Sequence, residues 1–427
     1  MNVNLLTYRE HVDLSFSNDK IVLQKNLYES VFKKTRKGKD VSLPCFSIQK
    51  LLNEDYNYNL KTNYYIGVDW IEINQIALYV APKLNNLEKE VDYIKMLFSS
   101  LSNPDISKEI EELFEVKWDL PSIEIEQKQD LLTPFLVVEF LCLVKKIVQK
   151  GLKKSYYKVE QNLYSKVKGK ILVGKSIKLN VQQNKKLHTY CAYEEFGLNS
   201  KENRLLKKAL IFIKRYLPKY SHFNNNVDLQ NLFNYINPAF DNVSDDIDLT
   251  EIKHSKTNVF YNEYEEAIRL AKLILKRFGY NISNTEKDKV KTPPFWIDMS
   301  KLFELYTLSL LKERFHNQVK FQYKHYGNEL DFLLKSSDYQ MVIDAKYKTA
   351  YINGSNDEDV RQVSGYARLQ KVYNELGKKR EEVIDCLIIY PDQENGLENL
   401  TGVNLRENEI PHYFNVYKLG LKLPYIR

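Results

Sequence analysis

Cysteine is sparse: four thiols (Cys45, Cys142, Cys191, Cys386) are spread over 427 residues and none stands in a C-x-x-C pair. That spacing gives no support to a zinc site and points to buried, reduced thiols of a cytosolic protein. Histidine is also scarce, at seven residues, and forms no H-E-x-x-H or other metal spacing. No G-x-S-x-G is present either. Glycine (14) and proline (12) are few, which argues against long disordered linkers. Long apolar runs are missing. The most apolar stretch, residues 131–144, is too short to span a bilayer and contains Pro134 and Glu139, so it reads as a buried helix. Residues 1–13 carry polar and charged side chains where a signal peptide needs a continuous apolar core. These absences point to a cytoplasmic protein that makes no use of a membrane.

What is present is an ordinary soluble composition, 43% hydrophobic and 28% charged, with 31 tyrosines and 20 phenylalanines. A chain of this length exceeds a single core, so two or three domains are expected. The net charge of +7 is unevenly spread: residues 141–190 hold 13 lysines and one acid, Glu160, a balance of +12 that leaves 7 − 12 = −5 for the rest. Such a block suits a polyanion or an acidic protein partner, or is a solvated lysine-rich surface.

Periodicity divides the chain into three segments. Residues 1–125 are mixed and β-rich: residues 64–73 alternate, then pass through a turn at Asn74-Gln75 into Ile76-Ala77-Leu78-Tyr79-Val80-Ala81-Pro82-Lys83, as consecutive strands do. Residues 91–101 have helical spacing. Residues 126–285 are mainly helical, with amphipathic helices expected over 203–216 and 263–278 and a lysine-rich, strand-like stretch at 156–187. The polar run 285–294, ending in Pro293-Pro294, marks a boundary. Residues 286–427 read helix (299–315), strand (329–334), strand (339–346), helix (359–376), strand (384–390). The fold class expected is α/β, α+β overall and multidomain, with a mixed C-terminal sheet flanked by helices.

The last segment carries the chemistry. Hydrolysing a phosphodiester at neutral pH needs a nucleophilic water, charge neutralisation at phosphorus and help for the leaving oxygen. One or two Mg²⁺ ions held by carboxylates supply all three. Along a strand side chains alternate, so Asp344 and Lys346 share a face. A hairpin turning at residues 335–338 places Asp331 opposite Val342 and diagonal to Asp344, near enough to share a metal, whereas a one-residue slip would remove it from that face. Asp344 and Lys346 could instead be a surface ion pair, and Glu304 a solvent-facing helix acid. Gln362 and Tyr366, four apart, lie on one helix face under any reading.

Asp331, a gap of twelve, then Asp344-Ala345-Lys346 resembles the PD-(D/E)xK nuclease signature, with Leu330 where the signature has proline. Gln362-Val363-Ser364-Gly365-Tyr366 resembles the Q-x-x-x-Y element of its RecB-like branch. The likeness extends to the McrC family, the nuclease subunit of McrBC-type modification-dependent restriction systems. Pro294-Phe295-Trp296-Ile297-Asp298-Met299 running into Leu302-Phe303-Glu304 resembles that family's approach to its catalytic helix. Ile66-Gly67 and the strand ending Pro82-Lys83 resemble its N-terminal strand pair. Gly151-Leu152, Val167-Lys168-Gly169-Lys170-Ile171 and Asn203-Arg204-Leu205-Leu206-Lys207 follow in the family's order, so the match spans residues 64–390.

This resemblance implies a metal-dependent endodeoxyribonuclease that acts on double-stranded DNA in antiviral defence. Asp331, Asp344, the Ala345 carbonyl and Glu304 would hold Mg²⁺, with Mn²⁺ as a substitute. Lys346 would orient the water and stabilise the transition state, and Gln362 and Tyr366 would position the site. It further implies a McrB-like AAA+ GTPase hexameric ring that the chain docks into with a stalk and stimulates. The basic stretch at 156–187 would be that stalk or a DNA-facing surface. Two rival readings remain open: a ring-docking adaptor with a vestigial nuclease fold, and a stand-alone RecB-like repair nuclease.

Residues 169–176, Gly-Lys-Ile-Leu-Val-Gly-Lys-Ser, match the phosphate-loop pattern G-x-x-x-x-G-K-[ST]. Such a loop needs a buried strand before it and a helix from its lysine. Here a lysine-rich stretch precedes, and residues 177–181 alternate like a strand. No nucleotide is expected on this chain.

Overall fold

The computed structural model describes residues 3–426 apart from 19–20, 22–25, 37–38, 52–56, 86–89, 102–112, 127–129, 131, 217–226, 249–261, 283–288 and 326–327. Leu131 and residues 285–288 of the boundary run therefore lie outside the described residues. The chain forms two compact units, Met1–Pro134 together with Lys287–Arg427, and Phe135–Glu286. The architecture is α+β, with several sheets and a mixed C-terminal one.

In the first unit, a five-stranded sheet runs in the order Asn4–Arg9, Ile76–Ala81, Tyr65–Glu72, Phe295–Asp298, Phe114–Val116. The strand just before the 299–315 helix is thus woven among strands from the start of the chain. An antiparallel four-stranded sheet (Asp13–Ser17, Asn57–Thr62, Lys39–Lys50, Leu27–Arg36) covers one of its faces. Phe32, Phe46, Ile48, Leu60, Leu78 and Val80 fill the shared core around Trp296. Trp296 meets the Phe46 ring edge-on at 5.7 Å and donates its indole N–H to Ser30 Oγ at 2.9 Å. The expected turn at Asn74-Gln75 is present, with Asn74 at φ 63°, a left-handed conformation that asparagine tolerates.

The second sheet of this unit is mixed. Val319–His325, Asn328–Lys335 and Gln340–Ala345 run antiparallel, and Asp385–Pro391 and Val416–Leu421 continue in parallel. Every residue of Asp385–Pro391 is buried, as expected of a strand covered on both faces. The helix Met299–Phe315 has the bounds read from sequence, and Asp298 caps it by accepting the Lys301 N–H at 3.0 Å. The expected single helix over 359–376 is two, Asp357–Ala367 and Gln370–Leu376. The last turn of the first tightens to i→i−3 bonds, Arg368 N to Gly365 O and Leu369 N to Tyr366 O. Leu369 then turns extended and packs on the core. Strands 319–325 and 416–421 had no clear signature in the sequence.

The helices Lys201–Tyr216 and Asn262–Ile282 of the second unit match expectation within a few residues, and the helix Leu132–Lys150 that leads into it runs on past the expected end at 144. Asn203, fully buried, donates to the carbonyls of Lys153 and Leu198 and accepts from the Tyr264 hydroxyl, pinning helix to loop. The lysine-rich stretch forms a ribbon, Ser155–Tyr164 paired with His188–Gly197 over ten residues. Its connection departs from the expected strand, since residues 173–181 are helical. The apolar alternation there does not mark a buried sheet face. Ile177, Leu179 and Val181 are all exposed, while Asn180 is buried and exchanges amide hydrogen bonds with Asn162, both at 2.8 Å. A helix thus does include the lysine of the G-x-x-x-x-G-K-S pattern. The strand before it is two exposed residues, Lys170–Ile171, and Lys175 is ion-paired with Glu160. A phosphate loop still lacks its buried strand and its free lysine.

Among the described residues no helix is long and apolar enough to cross a membrane. All four cysteines are free, and Cys45, Cys191 and Cys386 are buried.

Candidate active site

The turn of the 328–345 hairpin lies one residue later than expected. Ser336 N donates to Tyr339 O at 2.8 Å, and Tyr339 N donates to Ser336 Oγ at 2.9 Å. Moving a turn by one residue moves the register by two, so Leu333 pairs with Val342 and Phe332 with Ile343. The ladder ends at that pair, one residue short of Asp331 and Asp344, which are thus neighbours on adjacent strands. The Val342 pairing is overturned, but an even shift preserves the face. Asp331 Oδ2 accepts the Ala345 N–H at 2.8 Å, which holds the two strands together at this end.

Asp344 is buried, and its Oδ2 lies 2.8 Å from Lys346 Nζ, outside hydrogen-bond geometry. It is therefore an ion-paired oxygen with no hydrogen-bond donor. Lys346 donates to Gln362 Oε1 at 2.7 Å, and Gln362 Nε2 donates to the Tyr366 hydroxyl at 3.0 Å. Asp331, Asp344, Ala345, Lys346, Gln362 and Tyr366 therefore form one connected group. Glu304 is the exception. It is largely buried, not solvent-facing, but its partner is Lys301 at 3.3 Å, with Gln322 at 3.5 Å. Asp331 still feels its charge.

The electrostatics follow from this crowding. Burial, then the neighbouring Asp344 and then Glu304 push the Asp331 carboxyl well above the usual range, against the Ala345 N–H and Lys346. Burial likewise raises Glu304, with Lys301 opposing. For Lys346, burial works to remove the proton, but Asp344, Asp331 and Asp359 outweigh it and hold the amine above its ordinary value. The site thus sets the partly buried Asp331 carboxyl and the buried Asp344 beside a persistent ammonium, a charge arrangement common at functional sites.

Sequence reasoning missed a further layer. Asp359, in the first turn of the 357–367 helix, accepts both Lys348 Nζ (2.9 Å to each oxygen) and the Tyr351 hydroxyl (2.8 Å), and lies 3.9 Å from Lys346 Nζ. Two signals could have found it. Lys348 continues the 344/346 alternation, and Asp359 precedes Gln362 by three, one helical turn back on the same face.

Among the described residues no group of three or more His, Cys, Asp or Glu is arranged to hold a metal ion. The donors that could take a hard cation are the neighbouring Asp331 and Asp344, including the buried Asp344 oxygen that lacks a donor. Such a set suits Mg²⁺, which keeps several waters and binds through one or two carboxylates plus substrate phosphates.

The McrBC 5-methylcytosine restriction system component family matches residues 60–391. The chain belongs to this family. No curated protein matches it. Among solved structures it is similar to a refined half-complex from the tetradecameric assembly of Thermococcus gammatolerans McrB AAA+ hexamers with bound McrC. There the identity is 16% and the TM-score 0.38, over 87% of this chain and 80% of that one. A cryo-EM structure of the Thermococcus gammatolerans McrBC complex also resembles it, at 16% identity and TM-score 0.29, over 72% of this chain and 87% of that one. At that distance these two add no residue-level detail to the family membership.

Proposed function

We propose that this McrBC family member is the DNA-cleaving subunit of its restriction system, a metal-dependent endonuclease governed by an AAA+ GTPase ring. The observation that carries the reading is Lys346 Nζ held 2.8 Å from Asp344, with Asp331 on the adjacent strand accepting the Ala345 N–H at 2.8 Å. Mg²⁺ bound by these carboxylates would supply Lewis acidity toward the phosphodiester and lower the pKa of a bound water. The chain's own residues do the rest. Gln362 accepts one N–H of the Lys346 ammonium and Asp344 holds it by charge at 2.8 Å, keeping it charged for a phosphate oxygen. Tyr366 fixes Gln362, and Asp331 ties the 340–345 strand to its neighbour through the Ala345 amide.

The ribbon of the second unit supports the docking role. It combines lysines with exposed apolar groups, among them Tyr156, Tyr164, Val181, Leu187 and Phe196, each more than half exposed. Exposed apolar patches mark interaction sites, and the two McrBC complexes supply the class of partner, a McrB-like AAA+ ring. The Lys301–Glu304 pair, which occupies the third acid, favours a second reading, a docking activator that no longer cuts.

Cleavage of methylated and unmethylated plasmid, with and without the cognate AAA+ protein and GTP, separates the two. The nuclease reading expects Mg²⁺-dependent cutting that Asp344→Ala or Lys346→Ala abolishes while stimulation of GTP hydrolysis persists. Full cutting by either variant defeats it. Stimulation without any cutting by the wild type establishes the activator.

A further inference from the structure

The strand pair ending in Pro82-Lys83 has no part in the chemistry above, yet its end reaches the segment that carries Lys346. Asn4–Arg9 and Ile76–Ala81 are parallel neighbours with Arg9 opposite Ala81, so Glu10 and Lys83 leave the sheet at the same end. Glu10 N donates to Ala81 O at 2.9 Å, and Lys83 N donates to Glu10 Oε1 at 3.1 Å. Both side chains then converge on Tyr347, the residue after Lys346. Lys83 Nζ donates to the Tyr347 carbonyl at 2.9 Å and sits 3.8 Å above its ring, while the Tyr347 hydroxyl donates to Glu10 Oε1 at 2.8 Å. The Tyr64 ring lies 4.7 Å from the same ammonium and stacks on His11 at 4.8 Å.

We infer that Glu10 and Lys83 are positioning residues that clamp Tyr347 and thereby fix the backbone that aims Lys346 at the scissile phosphate. On one side Lys346 is held by its own N–H, which donates to Ile389 O at 2.8 Å in the parallel ladder. On the other, the chain leaves the sheet at Ala345. Beyond that point the clamp on Tyr347 and the Lys348–Asp359 pair take over from the ladder. The buried Glu10 and the half-buried Lys83 make little sense as stability devices. Glu10 is 1% exposed with Oε2 lacking any hydrogen bond. Burial pushes its carboxyl up, and burial draws Lys83 down to about 8 even with Glu10 nearby. Placing such groups out of water is seldom recovered as folding free energy, so a geometric function is the better account of them. The N-terminal sheet would then be a structural part of the nuclease, not a separate module.

This inference rests on the nuclease reading, and the test keeps the two apart. Steady-state cleavage is measured on the full chain with its AAA+ partner, GTP and Mg²⁺ for wild type, Lys346→Ala, Lys83→Met, Glu10→Gln and Tyr347→Phe. Lys83→Met is expected to lower kcat by about 100-fold with KM for DNA nearly unchanged, the size of loss that a small misplacement of a catalytic group produces. Glu10→Gln retains an oxygen acceptor for both donors and is expected to stay close to wild type. Tyr347→Phe keeps ring and carbonyl but loses the hydroxyl. It is expected to lose about 10-fold in kcat, and it carries the test if Lys83→Met does not fold. Stimulation of GTP hydrolysis should be retained in all of them. Wild-type kcat in both Lys83→Met and Tyr347→Phe, or a loss confined to KM, overturns the clamp. Equal cutting by Lys346→Ala and wild type overturns the nuclease reading beneath it.

Discussion

Asp331→Asn separates the electrostatics of the site from its chemistry. In the folded chain the Asp331 carboxyl is raised by burial, by the neighbouring Asp344 and by Glu304. Two charges about 5 Å apart repel by about 3 kcal/mol at an effective dielectric of about 20. Lys346 and the Ala345 N–H offset part of this, which leaves about 1–2 kcal/mol of net penalty at that dielectric. Asparagine retains an oxygen for the Ala345 amide and carries no charge. The sign follows from linkage. Between the ordinary value of 3.8 and its raised value in the fold, Asp331 binds more protons folded than unfolded. Wild-type stability therefore falls as pH rises through that window, and the penalty is complete above it. The variant should thus be more stable than wild type at pH 8.5, by a margin that narrows toward pH 5. With about 2–4 °C per kcal/mol for a unit of this size, the gain at high pH is about 2–8 °C in metal-free buffer. On the proposed nuclease reading, cleavage should be lost. Thermal unfolding monitored by circular dichroism at the two pH values, in EDTA, reads the first effect, and plasmid cutting reads the second. A variant less stable than wild type at pH 8.5, or a gain that does not change with pH, refutes the assigned crowding.

Two other outcomes follow from the same structure. Mg²⁺ should raise the unfolding midpoint of the wild type, more at pH 8 than at pH 6 because a raised Asp331 must lose its proton to bind; Asp344→Ala should show no rise. Gly67 sits at φ +146°, where a Cβ would stand 2.0 Å from the Phe295 carbonyl oxygen. Gly67→Ala should therefore cost about 3 kcal/mol or more and show as a sharp fall in denaturant midpoint.

Much of this was legible in the sequence because local physics decides it. The 299–315 helix matched at both ends: Asp298 before an apolar periodic run is a cap, and the cap is made. The face shared by Asp344 and Lys346 follows from strand alternation alone, and it holds. The cross-strand neighbour of Asp344 was only half legible. Parity came from the pattern, but the register depended on Ser336, whose hydroxyl and amide choose where the chain turns. Residues 177–181 misled because exposed apolar alternation looks the same on paper as buried alternation. The deciding contact, Asn162 with Asn180, crosses the ribbon.

The parts that stayed hidden have different causes. Asp359 is reached through a helix cap: Asn356 accepts the Glu358 and Asp359 N–H groups and so orients the first turn. Glu10 meets Tyr347 across 337 positions of chain. The first is set by local spacing that only a turn and a cap reveal, whereas the second has no spacing to read, since it exists only after two sheets have formed and packed. A site whose reactive groups lie on one hairpin can be read from a motif. The groups that hold the hairpin still must come from wherever the fold brings them, here from Glu10 and Lys83 in the N-terminal segment and from Asp359. On the proposed nuclease reading, the motif therefore understates the chain length that activity requires. Activity should fail on truncating the first sheet even though every motif residue remains.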